Sequence, residues 1–133
     1  MVHPMIDTFK GKNTMGFVYI AFTIFFTVYG QLIIKSQVSS AGVFPDDNGE
    51  KIAFIVRLLL NPLVISGFIS AFLASLAWMA ALTQFELSFA YPFMSLSFVA
   101  VIFLSIILFG EPLTFNKIFG TGLLIVALFI ISR

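Results

Sequence analysis

Apolar residues fall into four long runs along the chain, separated by shorter polar segments. The runs cover about residues 15–35, 62–84, 90–109 and 115–132. None alternates apolar and polar positions as a membrane-spanning β-strand does. Each approaches the roughly 20 residues with which an α-helix crosses about 30 Å of hydrocarbon. The pattern therefore predicts an all-α membrane protein with four transmembrane helices, forming a single membrane domain over residues 1–133.

Residues 36–61 separate the first two runs and contain the longest polar stretch, SQVSSAGVFPDDNG. The EKIAFIVRLLL that follows is too short to cross a bilayer and mixes charged with apolar residues. Such a segment is typical of a helix that lies at the membrane surface, so we predict a loop and then a short interfacial helix. The alternative is an early start to a long, tilted second helix. Asn61-Pro62 is typical of a helix start, with an amide cap before a first-turn proline.

The composition supports the membrane assignment and narrows the possible functions. Hydrophobic residues make up 60% of the chain and charged residues 10%, and the mean hydropathy is +1.11. A soluble domain of this length would need more charge to cover its surface. A net charge of +1 without a basic cluster argues against a nucleic-acid partner. With no cysteine, one histidine and scattered acidic residues, we predict no catalytic residue, metal site or cofactor, and no enzyme activity.

Polar side chains within the apolar runs are costly in lipid unless they face protein or water, so they are candidate functional residues. Thr27, Gln31 and Lys35 recur every four residues and share one face of the first helix. They either line a polar cavity or form hydrogen bonds between helices, with Lys35 extending to the lipid headgroups. Glu111, after the third run, is expected at the same membrane surface as Lys35, in position to pair with it.

The second run carries small residues and one tryptophan. Ser66, Ser70 and Ala74 are spaced four apart, which predicts close packing against another helix. Trp78 lies about one turn before the end of the run. It either covers a ligand or anchors the helix at the membrane surface.

The start of the third run combines a proline with polar residues. Pro92 has no N–H and leaves a carbonyl about four residues earlier without a partner, which must then face protein or a wet cavity. We therefore expect Tyr91 and Ser95 to face a groove, with Glu86 as the acidic residue nearest this surface. The alternative is that Pro92 lies in the first helical turn, where it is tolerated.

Three segments carry a family resemblance: YGQLIIK (29–35), AYPFMSLSFV (90–99) and GEPLTFNKIFGTGLLIVALFI (110–130). In this order they resemble the drug/metabolite transporter superfamily. Among its four-helix members, the chain is most similar to the subunits of the 4-amino-4-deoxy-L-arabinose-phosphoundecaprenol flippase. The resemblance covers most of residues 16–132 apart from the long first loop. The GEPL turn is shared across the superfamily, so the AYP segment is the more specific of the two.

The neighbouring small multidrug resistance family differs at one informative position. Its members carry a proton- and drug-binding glutamate three residues before the glycine that resembles Gly30. Thr27 stands at that position here. Without a carboxylate deep in any run, the chain lacks a group for proton-coupled cation export.

The resemblance implies a transporter or flippase subunit that moves a polyprenyl-phosphate-linked sugar or related lipid across the bacterial inner membrane. It also implies a homodimer, or a heterodimer with a similar small four-helix protein, surrounded by membrane lipids. A phosphate needs a cation, and Lys35 is the best placed, with Arg57 and Lys51 near the same membrane surface. The alternatives are a small multidrug-type cation or solute exporter and a non-transporting membrane subunit of a glycolipid-modifying complex. The expected substrate-binding residues are Gln31, Lys35, Arg57, Trp78, Glu86, Tyr91, Ser95 and Glu111.

Overall fold

The computed structural model describes the backbone of residues 3–133 and the side chains of residues 14–133. This part of the chain forms six helices and no strand. The helices are α1 (His3–Ala41), α2 (Asn48–Leu59), α3 (Pro62–Leu82), α4 (Leu87–Phe93), α5 (Ser95–Phe109) and α6 (Phe115–Ile131).

Three helical segments are long and apolar enough to cross a bilayer: Thr14–Ala41 within α1, Pro62–Leu82, and Leu87–Phe109, which joins α4 and α5. By length and composition, the chain is a multi-pass membrane protein. The fourth predicted span, α6, has 17 residues and is about 25 Å long at 1.5 Å per residue. It falls short of the roughly 30 Å of hydrocarbon, so the fourth crossing stays a prediction.

The first helix is longer than the sequence pattern predicts. Its end was expected near residue 35, but α1 continues to Ala41. Residues 36–41 are polar or small and can remain helical, so polarity alone does not end the helix. Gly42 follows at φ 95°, a left-handed conformation that favours glycine and commonly ends helices. The predicted loop therefore begins at residue 42.

A separate helix, α2, occupies the segment for which an interfacial helix is predicted. The Asp47 side chain caps its start by accepting a hydrogen bond from the Glu50 N–H, 3.3 Å away. The chain leaves the helix after Leu59, and the Asn61 side chain then caps α3 by accepting from the Leu63 N–H at 2.9 Å. The alternative of one continuous, tilted second helix is therefore wrong. The interfacial position of α2 stays a prediction.

Helices α1 and α3 form the most extensive contact in the bundle, and glycines allow it. A Cβ added to Gly30 would lie 3.0 Å from the Gly67 carbonyl oxygen, so no larger residue fits without separating the backbones. The buried Ser70 hydroxyl donates to the Phe26 carbonyl across the same contact at 2.7 Å. Ala74 is also buried, which confirms the packing predicted from the small residues of α3.

The other end of the α1–α3 pair is filled by rings. The aromatic cluster consists of Phe17 from α1, Phe85 from the α3–α4 turn, and Phe89 and Phe93 from α4. Ring centroids are 5.0 Å apart for Phe17 and Phe85, and 5.2 Å apart for Phe89 and Phe93. These distances lie in the favourable range for aromatic pairs. The cluster holds the α3–α4 turn against α1 and so positions α4.

Candidate functional site

A groove of about 310 Å³ lies between α1, α3 and the α4–α5 junction. Its polar side chains are Thr23, Thr27 and Gln31 from α1, and Ser75 from α3. Trp78 and Tyr91 add aromatic faces. We call this hollow the polar groove. It joins side chains from three separate apolar runs of the sequence.

The close contact of α1 and α3 also shapes the polar groove. Gly30 and Gly67 both line it, together with Ala71 and Ala74. None of these residues has a side chain beyond Cβ, so little of the space above the helix contact is filled. The glycines that let two backbones approach therefore also leave room for a ligand beside them.

Trp78 and Tyr91 form an aromatic wall of the polar groove. Their ring centroids lie 6.2 Å apart in an edge-to-face arrangement. Trp78 is half-buried and also packs against the buried residues Ile20, Ala81 and Ala90, whereas 67% of Tyr91 is exposed. A fixed ring thus stands beside a ring that a ligand can cover.

The proline of the AYP segment interrupts the third apolar run. Pro92 is the sixth residue of α4, so its assignment to the first helical turn is wrong. The helix breaks at Met94, and α5 starts at Ser95. The Ser95 hydroxyl donates to the Pro92 carbonyl oxygen at 2.6 Å, and the Ser97 hydroxyl donates to that of Met94 at 2.5 Å. These hydroxyl protons are therefore used at the helix break.

The structure brings together three of the eight predicted site residues, Gln31, Trp78 and Tyr91, in the polar groove. Lys35 is exposed and is not among the residues that line this groove. Ser95 lies beside the groove at the helix break, with its hydroxyl bonded as described.

The remaining three predicted residues lie at separate places. Arg57 lines a pocket where α1, α2 and α3 meet. Glu86 lines a hollow of about 430 Å³ at the α3–α4 turn. Glu111 lies 4.0 Å from Lys117 Nζ, across the turn between α5 and α6. Lys117 with Glu111 is the one ion pair among the described residues. The expected pairing of Glu111 with Lys35 is therefore wrong.

Several lining residues were not selected from the sequence. Thr23 extends the four-residue spacing of Thr27 and Gln31 by one step and is almost completely buried. Ser75 precedes Trp78 by three residues, which places both on one face of α3. Met94 follows Tyr91 by three residues in the same way. Helical spacing from a recognised member could have identified all three.

The polar groove can bind an uncharged polar group. Its lining provides an amide, hydroxyls and aromatic faces, and among the described residues no Asp, Glu, Lys or Arg contributes to it. Lys35 follows Gln31 by four residues, about 6 Å along the helix axis at 1.5 Å per residue. A cation is thus within reach of a ligand whose neutral part occupies the groove and whose anionic part extends beyond it.

A second hollow lies on another face of α1, between α1 and α5. It has a volume of about 550 Å³ and an apolar lining that includes Phe25, Val28, Leu32, Leu96 and Leu104. Helix α1 is therefore bordered by a polar groove on one face and an apolar hollow on another. This arrangement is compatible with an amphipathic ligand.

Comparison of the chain with protein-family models, with curated proteins and with solved structures found no match.

Proposed function

We propose that the chain is a subunit of a transporter or flippase that moves a polyprenyl-phosphate-linked sugar, or a related lipid, across the bacterial inner membrane. The observation that carries the proposal is the polar groove, in which Gln31, Trp78 and Tyr91 converge from three apolar helices. Polar side chains at this depth of an apolar sequence are costly unless they face protein, water or a polar ligand.

The chemistry of the groove suits a sugar. Sugar hydroxyls exchange hydrogen bonds with amide and hydroxyl groups, here Gln31 and Thr27. The Ser75 hydroxyl donates to the Ala71 carbonyl oxygen at 3.1 Å and can still accept a hydrogen bond from a sugar hydroxyl. The apolar C–H faces of a sugar ring pack on aromatic rings, here Trp78 and Tyr91. The phosphate would extend toward Lys35, which acts as a point charge one turn from Gln31. The polyprenyl tail would remain among the apolar helix surfaces and acyl chains.

The proposal includes a second subunit. The polar groove is bordered by helices of one chain, and four apolar helices are half of a typical inverted-repeat transporter. A homodimer, or a heterodimer with a similar small four-helix protein, would enclose the substrate head from both sides. Four spans and a drug/metabolite transporter-like bundle belong to this proposal.

Headgroup translocation in proteoliposomes tests the proposal. We expect Gln31→Leu to lower the initial rate for a polyprenyl-phosphate sugar roughly tenfold, since it removes hydrogen bonds worth about 1 kcal/mol each. Gln84→Leu is the matched control, because Gln84 lies at the α3–α4 turn outside the polar groove. Its rate should equal that of the wild type.

Two results would overturn the transport proposal. One is equal translocation by wild type, Gln31→Leu and protein-free liposomes. The other is retained lipid binding without translocation, which would instead indicate a non-transporting membrane subunit of a glycolipid-modifying complex.

The aromatic wall favours a second candidate, an exporter of small organic cations. The faces of Trp78 and Tyr91 can attract an ammonium group. The absence of an acidic residue from the described groove lining weakens this candidate, because proton coupling needs a titrating group. Growth protection against quaternary ammonium compounds, lost in Tyr91→Ala and kept in Gln84→Leu, would establish it.

A further inference from the structure

A polar pocket of about 250 Å³ lies where α1, α2 and α3 meet, and we call it the junction pocket. Gln37 and Ser40 line it from α1, Arg57 and Leu58 from α2, and Asn61 at the start of α3. None of these five residues lines the polar groove. The pocket is therefore separate from the polar groove, and binding of a sugar headgroup in that groove does not account for it.

Two carboxamides in the pocket hold each other in a defined orientation. Asn61 Oδ1 accepts the Leu63 N–H at 2.9 Å, and Asn61 Nδ2 donates to Gln37 Oε1 at 3.0 Å. An amide oxygen only accepts and an amide nitrogen carries two donors. Both oxygens are thus already engaged, whereas one N–H of Asn61 and both N–H groups of Gln37 have no hydrogen-bond partner among residues 14–133. The free capacity of the pair consists mainly of donors.

Arg57 adds charge to this set of donors. It lies in the last turn of α2 and carries a planar guanidinium with five N–H groups. Lys117 with Glu111 is the one ion pair among residues 14–133, so no carboxylate of this part lies within 4.0 Å of the Arg57 guanidinium nitrogens. No acidic residue of the same part lines the pocket. The lining of the pocket thus combines an exposed arginine with spare amide donors.

We propose that the junction pocket binds a phosphate-class anion. Phosphate oxygens accept several hydrogen bonds at once, and the arginine fork matches a pair of them. The cavity is below the size of ordinary drug-sized sites and suits a headgroup-sized ligand. The phosphate is either free in solution or part of a lipid headgroup, and basic pockets beside membrane helices are known to hold such headgroups.

The surface of α2 bears on the source of the phosphate. Ile52, Ile55 and Leu59 are all exposed, and Ile52 is 67% exposed. Apolar residues on a short helix that also carries Arg57 fit contact with acyl chains below a headgroup layer. An anionic phospholipid would therefore reach the pocket from the membrane side.

Binding to purified protein in phosphatidylcholine nanodiscs tests the proposal. Calorimetry measures inorganic phosphate, and native mass spectrometry counts phosphatidylglycerol retained after its addition to the nanodiscs. We expect Arg57→Gln to weaken binding at least tenfold, since it removes the positive charge and the charge-assisted hydrogen bonds of the arginine fork. Lys51→Gln is the matched control, because it removes the same charge from the same helix outside the pocket lining.

A second variant separates loss of binding from loss of structure. Gln37→Glu keeps an oxygen that can accept from Asn61 Nδ2, but it replaces the two free N–H groups by a carboxylate. We expect it to abolish anion binding while the thermal unfolding temperature stays near that of the wild type.

The measurements with inorganic phosphate and with phosphatidylglycerol also show whether the bound phosphate group comes from solution or from a lipid. Binding of phosphatidylglycerol without inorganic phosphate supports a lipid ligand, and binding of both supports a site for free phosphate as well. The proposal is overturned if neither binds, or if Lys51→Gln lowers binding as much as Arg57→Gln. Because the readout is binding rather than translocation, its failure leaves the transport proposal unaffected.

Discussion

Two glycines of α1 illustrate different uses of the same residue. At Gly16, a Cβ would lie 2.5 Å from a ring carbon of Phe85, so a large side chain occupies the space that glycine leaves. At Gly30, a Cβ would lie 3.0 Å from the Gly67 carbonyl oxygen, so another backbone occupies it. Gly16 leaves room for a ring of the aromatic cluster, and Gly30 lets α1 and α3 approach each other beside the polar groove.

The difference explains why the α1–α3 pair is tightly packed at the aromatic cluster and leaves a groove near Gly30. A ring that packs into a glycine site fills the space around it and adds aromatic contacts. A backbone that meets a glycine adds no side chain of its own. Ile33 and Ile34 of α1 pack against Gly67, and the small residues Gly30, Gly67, Ala71 and Ala74 line the polar groove beside them. The Gly30–Gly67 contact brings these small residues together, so the polar groove depends on it.

The largest expected effect is that of Gly30→Ala. The added methyl group meets a carbonyl of another helix, and relief requires α1 and α3 to move apart. We expect a loss of about 2 kcal/mol in the free energy of unfolding, as for other overpacked contacts. Thermal unfolding in detergent, followed by size-exclusion chromatography, measures it.

Gly120→Ala in α6 is the control, since among the described residues no atom beyond the adjacent residues and helix backbone lies within 4 Å of a Cβ added there. If Gly30→Ala were as stable as Gly120→Ala, the Gly30–Gly67 contact could not have the role described.

Gly16→Ala should lower the free energy of unfolding, and a second substitution should restore part of that loss. The methyl group meets two ring carbons of Phe85 and also Gln84 Cβ at 2.9 Å. Phe85→Leu in the same chain removes the ring contact, so the double variant should recover about half of a loss of roughly 1–2 kcal/mol. A double-mutant cycle in thermal unfolding measures this. Additive losses would mean that the ring does not occupy the glycine site.

Ser70→Ala tests the hydrogen bond that accompanies the glycine contact. The Ser70 hydroxyl donates to Phe26 on α1, whereas the Ser75 hydroxyl donates within α3 to Ala71 at 3.1 Å. Removal of the bond between helices should cost about 0.6–1 kcal/mol, less than Gly30→Ala. Ser75→Ala should be close to neutral in the same unfolding assay. Equal losses in both variants would contradict a specific role for Ser70.

Lys117→Gln should have the smallest effect on the free energy of unfolding, because Lys117 lies outside both glycine sites. Lys117 and Glu111 are 4.0 Å apart, and each side chain is about one-third exposed. Lys117 Nζ also donates to the Pro112 carbonyl oxygen at 2.9 Å. Both interactions are exposed, and exposed ion pairs contribute a median of about 0–1 kcal/mol. Unfolding at low and high salt should therefore barely distinguish the variant from the wild type. A larger loss would show that the α5–α6 turn contributes more to stability than its contacts indicate.

Helical spacing predicted part of the polar groove and also explains one departure from it. Thr27 and Gln31 line the groove, but Lys35 does not. Each step of four residues advances about 40° beyond a full turn, so a four-residue stripe drifts around the helix. By Lys35 the drift has moved the side chain off the groove. A four-residue spacing therefore does not keep every member of a stripe in the same groove.

Ser95 shows a limit of a different kind. Its position after Pro92 indicated a residue facing inward, but its hydroxyl donates to the Pro92 carbonyl. Serine hydroxyls compete for nearby backbone carbonyls, and a proline break makes such carbonyls available. The sequence contains both groups, yet their pairing depends on the local backbone geometry at Met94.

The sequence by itself determined that the chain is helical and multi-pass, that Asn61-Pro62 begins a helix, and that Ser70 and Ala74 pack against a neighbour. These follow from the length of apolar runs, cap chemistry and residue size, which act within a few residues of the chain. The tertiary structure decided that Gly30 meets Gly67 and that Gln31, Trp78 and Tyr91 share one groove. It also decided that Arg57 joins Gln37 and Asn61 in the junction pocket. These contacts join residues far apart in sequence, and they depend on how helices cross, which no local pattern specifies.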